Sequence, residues 1–191
     1  MTKILKIDEF LNTQESNHMD EGFLQNIKDK MSGLTKLREQ RAELDKKIGA
    51  ITTELSAYDI ALDAVSNQVD KIFFDDQMRK TLKDEIANVA KKQELILQKD
   101  EIEVKIANKE GFESQKKQAD ENQKKDKLIL DFVNWFDDEG YDLLRDYRAS
   151  YTGTDKTLKN KDKSLKEKYL NAYIKMCPFS DAKQWAEAAL K

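Results

Sequence analysis

Few side chains in this chain have the types and spacing that catalysis or metal binding requires. The 191 residues include one histidine, His18, and one cysteine, Cys177, which lie far apart in the sequence. Zinc sites need several Cys and His ligands, and a reactive thiol needs a neighbouring base. No glycine-rich phosphate loop and no GxSxG or HExxH motif is present. We therefore predict a non-enzymatic protein that has no metal site and no cofactor.

Two charged segments are the remaining candidates for chemistry. Residues 131–139 contain paired carboxylates, which can bind a hard cation, but they lack the ligand order and central glycine of a calcium loop. We interpret them as the acidic end of an amphipathic helix. A run of lysines precedes Tyr169 and Tyr173, and it could contact phosphates while the rings stack on bases. The lysines of this basic patch are Lys156, Lys159, Lys161, Lys163, Lys166 and Lys168.

The basic patch is a poor match to a nucleic-acid site, because base reading usually relies on Arg, Asn or Gln and the run contains no arginine. Its cations could equally face the acidic residues 131–146 of the same chain, or an acidic surface on a protein partner. The net charge of −3 provides no general attraction to nucleic acid. We therefore rank weak nucleic-acid binding below protein binding.

The element that must position these segments is a long helix. Apolar residues recur with 3-4 spacing from Ile27 to Ile72. This period predicts one helix, about 70 Å long over the seam, with a face only wide enough to pack against another helix. Arg41 and Lys30 are cations on that seam. Arg41 would face the region of Asn108, with Glu110 nearby, and could fix the register of the pairing.

A second helical segment is predicted to fold back on the first. Apolar positions continue with helical period from Leu82 to Ile106, and a turn near residues 73–77 would align the two apolar stripes. We predict a long antiparallel helical hairpin, a coiled coil, over residues 19–126. A continuous helix in a parallel dimer is the alternative. Residues 113–127 are almost entirely polar, so they are expected to form a solvated extension or a linker.

The ends of the chain have a different character. Most aromatic residues follow position 127, where short helices are predicted at 127–137, 140–150, 161–176 and 180–190. The fold class is therefore all-α, with residues 127–191 as a small aromatic-rich helical module. Residues 1–18 are predicted to be an amphipathic arm and linker that packs on its own rod or docks in a partner's groove.

The predicted function is a structural or assembly role. A scaffold or strut that works through protein–protein contacts is the leading hypothesis, and a phage or mobile-element capsid- or scaffolding-associated protein is one concrete case. A small inhibitor or adaptor that uses its exposed seam as a helix-in-groove ligand is the alternative. A homo-oligomer stays open. The candidate partner-binding residues are Ile4, Ile7, Phe10, Leu11, Ile27, Met31, Leu34, Trp135, Phe136, Tyr169, Tyr173 and Trp185.

The expected location is the cytoplasm, or a viral or other macromolecular assembly built there. No apolar run approaches the roughly 20 residues that a membrane span needs. The first ten residues lack the apolar core of a signal peptide, because Lys3, Lys6, Asp8 and Glu9 interrupt it.

Overall fold

The computed structural model describes residues 21–65, 76–149, 151–152, 159–160 and 163–191. Its α-helices are α1 (Glu21–Ser32), α2 (Leu34–Ala50), α3 (Ala57–Val65), α4 (Asp76–Glu110), α5 (Glu113–Trp135), α6 (Tyr141–Ala149), α7 (Lys163–Met176) and α8 (Ser180–Leu190). A π-helical turn, Phe136–Gly140, joins α5 to α6. The two-residue strands β1 (Tyr151–Thr152) and β2 (Lys159–Asn160) pair in antiparallel orientation.

Helices α4 and α5 form a long antiparallel hairpin. Helix α4 ends at Glu110 and α5 begins at Glu113, so only Gly111 and Phe112 connect them. Gly111 has a φ of 74°, which glycine adopts without the steric cost of a Cβ. The predicted all-α fold, a long helical hairpin followed by an aromatic-rich helical module, is confirmed. Residues 73–75 of the predicted turn lie outside the described residues, and α4 begins at Asp76.

The sequence suggested that the polar residues 113–127 form a solvated extension or a linker. In the structure they are instead part of this hairpin. Ala107 on α4 and Ala119 on α5 are both buried. Small side chains let two helices approach closely, so a helix with few apolar residues can still pack along a narrow seam. The sequence prediction was wrong here because it looked for large apolar side chains.

The predicted first long helix pairs with α4, but it is interrupted twice. Asp45 on α2 forms an ion pair of 2.7 Å with Lys99 on α4, and Arg38 pairs with Glu110 at 2.8 Å, so the two helices run antiparallel. The first break is Gly33, with a φ of 74°. The second is the non-helical stretch of residues 51–56. A continuous helix through these positions was therefore a wrong prediction.

A capping box explains why a new helix begins after the second break. The Ser56 Oγ accepts a hydrogen bond of 3.1 Å from the Asp59 amide, and the Asp59 carboxylate accepts one of 3.1 Å from the Ser56 amide. This reciprocal pair satisfies two amides that the start of a helix leaves free. This cap stabilises the start of α3 as a helix separate from α2.

The main hydrophobic core lies at the base of the hairpin, where α3, α4 and α5 meet the helices α6, α7 and α8. Side chains from both sides of residue 127 contribute to one continuous cluster. Its most deeply buried large members are Tyr169, Tyr173, Phe132, Ile86, Leu144 and Val133. The module is thus packed directly on the hairpin.

Candidate partner-binding surfaces

An aromatic–acidic face lies on α3 and α8 and consists of Tyr58, Asp59, Asp181 and Trp185. The Tyr58 hydroxyl donates a hydrogen bond to the Asp181 carboxylate. The Tyr58 ring meets the Phe179 ring edge-on, with 5.3 Å between the ring centroids. These two contacts hold the Tyr58 side chain in place at the surface. Trp185 is 64% exposed, which is unusual for the largest apolar side chain.

The charge on this face is negative. The hydrogen bond from Tyr58 lowers the pKa of Asp181, so its carboxyl group is ionised at neutral pH. The same bond raises the pKa of Tyr58, with smaller contributions from burial and from the charges of Asp181 and Asp59. Trp185 follows Asp181 by one helical turn, so both side chains lie on the same side of α8. Carboxylates beside an aromatic ring attract a lysine or arginine side chain.

A second surface, the hairpin tip, surrounds the turn between α4 and α5. Met31 is 58% exposed and Phe112 is 57% exposed. Beside Phe112 is a groove of about 330 Å³ whose lining includes Leu34, Arg38 and Lys109. The tip thus presents exposed apolar side chains beside a groove lined by charged groups of both signs.

Hydrogen bonds and ion pairs organise the hairpin tip. The Asp29 carboxylate accepts from Gln25 at 2.9 Å and from Arg38 at 2.6 Å, and Arg38 also donates to Glu110 at 2.8 Å. The Lys109 ammonium donates to the Ser32 carbonyl. Arg38, on α2, therefore connects this helix to α1 and α4. The sequence analysis had assigned such a role between the paired helices to Arg41.

The structure separates the predicted seam residues. Met31 is exposed, Ile27 is half-buried and Leu34 is buried. A partner could reach Met31 directly, but Leu34 is already covered by the chain itself. The predicted arm residues Ile4, Ile7, Phe10 and Leu11 lie outside the described residues.

Most of the predicted aromatic contacts are core residues. Tyr169, Tyr173 and Phe136 are buried, and Trp135 is half-buried, with its ring above Gly140. The Tyr169 hydroxyl donates to the Ala64 carbonyl at 3.0 Å, and the Tyr173 hydroxyl donates to the Ala61 carbonyl. These two phenols have no free surface for stacking on bases. Trp185 alone of the predicted module contacts is strongly exposed.

The basic patch is described only in part. Lys163 and Lys168 on α7 are exposed and Lys166 is half-buried. Lys156 and Lys161, and the side chain of Lys159, lie outside the described residues.

No described group of three or more His, Cys, Asp or Glu side chains has an arrangement that could hold a metal ion. Among the helices that the structure describes, none is long and apolar enough to span a membrane. Comparison of the chain with models of known protein families, with curated proteins and with solved structures found no match.

Proposed function

We propose that this protein is a non-enzymatic assembly protein whose aromatic–acidic face binds a partner protein, with the hairpin as a strut. The observation that carries this proposal is the exposure of Trp185 beside a fixed tyrosine and an ionised carboxylate. Tryptophan and tyrosine are the side chains that most often dominate binding energy at protein interfaces. A rim of charged groups around such an anchor adds specificity and speeds association.

The partner of this proposal carries a lysine or arginine next to an apolar residue. The cation would lie over the Trp185 ring and pair with the Asp181 carboxylate, while the apolar neighbour would cover the rest of the ring. Asp59 adds a second negative charge on the same face. This charge pattern favours a basic segment over an acidic one.

The strut role rests on the distance between the two surfaces. Phe112 at the hairpin tip and Phe132 in the core are separated by roughly 30 Å along α5, at 1.5 Å per residue. A protein that holds two contact surfaces apart in this way suits a scaffold or spacer in a larger assembly. A phage or mobile-element particle is one assembly of this kind.

The test compares Trp185→Ala with Phe112→Ala in the full-length chain. Each variant replaces one exposed aromatic residue, but Trp185 lies on α8 in the aromatic–acidic face and Phe112 lies at the hairpin tip. A tagged protein with a photoreactive amino acid at Gln184 would be added to native host lysate, and cross-linked peptides would be identified and counted by mass spectrometry. We expect a lysine- or arginine-bearing segment of one abundant protein. Trp185→Ala should weaken its capture by about thirtyfold, the effect of losing about 2 kcal/mol.

Two outcomes would count against the proposal. Capture of the same partner at wild-type level by Trp185→Ala would show that the aromatic–acidic face is not the binding site. Capture of nucleic acid alone, with a steep loss between low and moderate salt, would favour the basic patch. Unchanged circular dichroism of both variants is the control for folding.

A further inference from the structure

A buried carboxyl group lies in the middle of the hairpin seam. Asp100 on α4 is only 6% exposed. Its Oδ2 atom is buried and has no hydrogen-bond partner among the described residues. Asp126 on α5 faces the same carboxyl group from across the seam. Asp126 is half-buried. When a buried carboxyl group faces a second carboxyl group, ionising both has a large energetic cost.

The charged groups around Asp100 relieve this repulsion only in small part. On its own helix, Glu103 adds a further negative charge and Lys99 is the nearby cation. Lys99, however, forms its ion pair of 2.7 Å with Asp45 of α2 and is also close to Glu103, at 4.0 Å. The hydrogen bond to Asp45 raises the pKa of Lys99, and Arg41, also on α2, opposes this rise only weakly. Lys99 thus acts mainly on Asp45.

Burial is the largest cause that raises the pKa of Asp100, to about 7, and the hydrogen bond and charge of Asp126 add to it. The carboxyl group therefore holds its proton in the folded chain at pH values where a free aspartate has lost it. A shared proton lets one carboxyl group donate to the other and removes one of the two facing charges.

We propose that Asp100 and Asp126 form a proton-operated joint, which keeps α5 closed on α4 while one proton is bound and loosens it when that proton is lost. The local packing makes such loosening feasible. Between residues 113 and 127, α5 has no apolar side chain larger than alanine, and Ala119 is its one buried apolar contact. Further along, Ile129, Phe132 and Val133 anchor α5 in the core. Opening should therefore affect the tip half of the hairpin and leave its base intact.

The direction of the pH effect follows from the raised pKa. Because the folded chain binds this proton more tightly than the unfolded chain, the joint is most stable at pH values below the ordinary aspartate pKa of 3.8. Its contribution to stability falls as the pH rises and is lost above about pH 7. The deprotonated fraction therefore rises as the pH passes through about 7.

The test is hydrogen exchange of the full-length protein at pH 6 and pH 8, corrected for the intrinsic rates. Protection of the amides in residues 113–126 should fall several-fold in the wild type, up to about tenfold. Asp100→Asn keeps the size of the side chain without its charge, so its protection should be independent of pH in this range. Asp131→Asn, at an exposed position on α5, is the matched control and should behave as the wild type does.

A direct titration makes the proposal falsifiable even if Asp100→Asn does not fold. The carboxyl carbon of Asp100, followed by NMR in the wild type, should titrate near pH 7, and Asp126→Asn should lower that midpoint. A midpoint near 4, or the same pH-dependent exchange in Asp100→Asn as in the wild type, would overturn the joint.

Discussion

At the scale of single residues, two buried tyrosines attach the module to α3. Tyr169 and Tyr173 extend from α7, and their hydroxyls donate to the carbonyls of Ala64 and Ala61. Burial raises the pKa of both phenols, so they remain protonated donors over the whole accessible pH range. A buried carbonyl that loses such a donor has no water to replace it.

We predict that Tyr169→Phe lowers the free energy of unfolding by about 1–3 kcal/mol, because the Ala64 carbonyl is left without its donor. Urea denaturation at neutral pH measures this difference. Tyr58→Phe is the matched control, since its hydroxyl bonds Asp181 at an exposed site and water can replace it. A loss for Tyr169→Phe no larger than that for Tyr58→Phe would contradict the assigned role.

At the scale of elements, the π-helical turn Phe136–Gly140 sets the direction of the chain between α5 and α6. A π-helical turn inserts an extra residue and alters the helical hydrogen bonding. Lys83 of α4 compensates by donating to the Asp137 carbonyl, and its ammonium lies 4.9 Å from the centroid of the Tyr141 ring. The Trp135 and Phe136 rings occupy the space that a Cβ at position 140 would fill, so the turn needs a glycine, Gly140, there.

Two glycine substitutions should therefore have opposite effects on thermal stability. A Cβ on Gly140 would lie 2.9 Å from a Trp135 ring atom, so we expect Gly140→Ala to destabilise the protein by about 1–3 kcal/mol. Gly49→Ala adds a methyl group to α2 where nothing lies within 4 Å, and we expect it to stabilise by about 0.5–1 kcal/mol. Calorimetry of both variants measures the changes. An equal shift of both melting temperatures would refute this account of the turn.

At the scale of the whole molecule, the shared core predicts that the hairpin base and the module unfold together. Ile86 on α4 is fully buried in the same cluster as Phe132, Leu144 and Tyr173. Truncation of a fully buried isoleucine leaves a cavity as well as lost apolar contacts. A defect in the hairpin should therefore be transmitted to the aromatic residues of the module.

Ile86→Ala should lower the free energy of unfolding by about 2–5 kcal/mol. Thermal unfolding would be followed by far-ultraviolet circular dichroism for the helices and by near-ultraviolet circular dichroism for the aromatic side chains. Both signals should shift to the same lower temperature. Leu128→Ala removes an exposed side chain of α5 and should shift neither much. An aromatic transition that keeps its wild-type midpoint in Ile86→Ala would mean that the module folds independently.

Local patterns in the sequence determined the element types and part of their boundaries. The periods of the apolar residues predicted an all-α chain, and Pro178 and the glycines marked helix ends close to those of α6, α7 and α8. The capping box of Ser56 and Asp59 was also readable from its spacing, but the 3-4 repeat that runs through it suggested a continuous helix. Periodicity reports which face of a helix is apolar and is less sensitive to where the helix stops.

Tertiary structure alone decided that α5 packs on α4 and which aromatic residues remain exposed. Helix α5 packs on α4 through Ala119 and a carboxyl pair, contacts too small or too polar to appear in an apolar pattern. Tyr173 and Trp185 are both aromatic residues in short helices of the module, yet Tyr173 is buried and Trp185 is exposed. Burial depends on what the other helices bring to the same place, which is a long-range property of the chain. For that reason Tyr58 and Asp181, 123 positions apart, could be recognised as one surface only after folding.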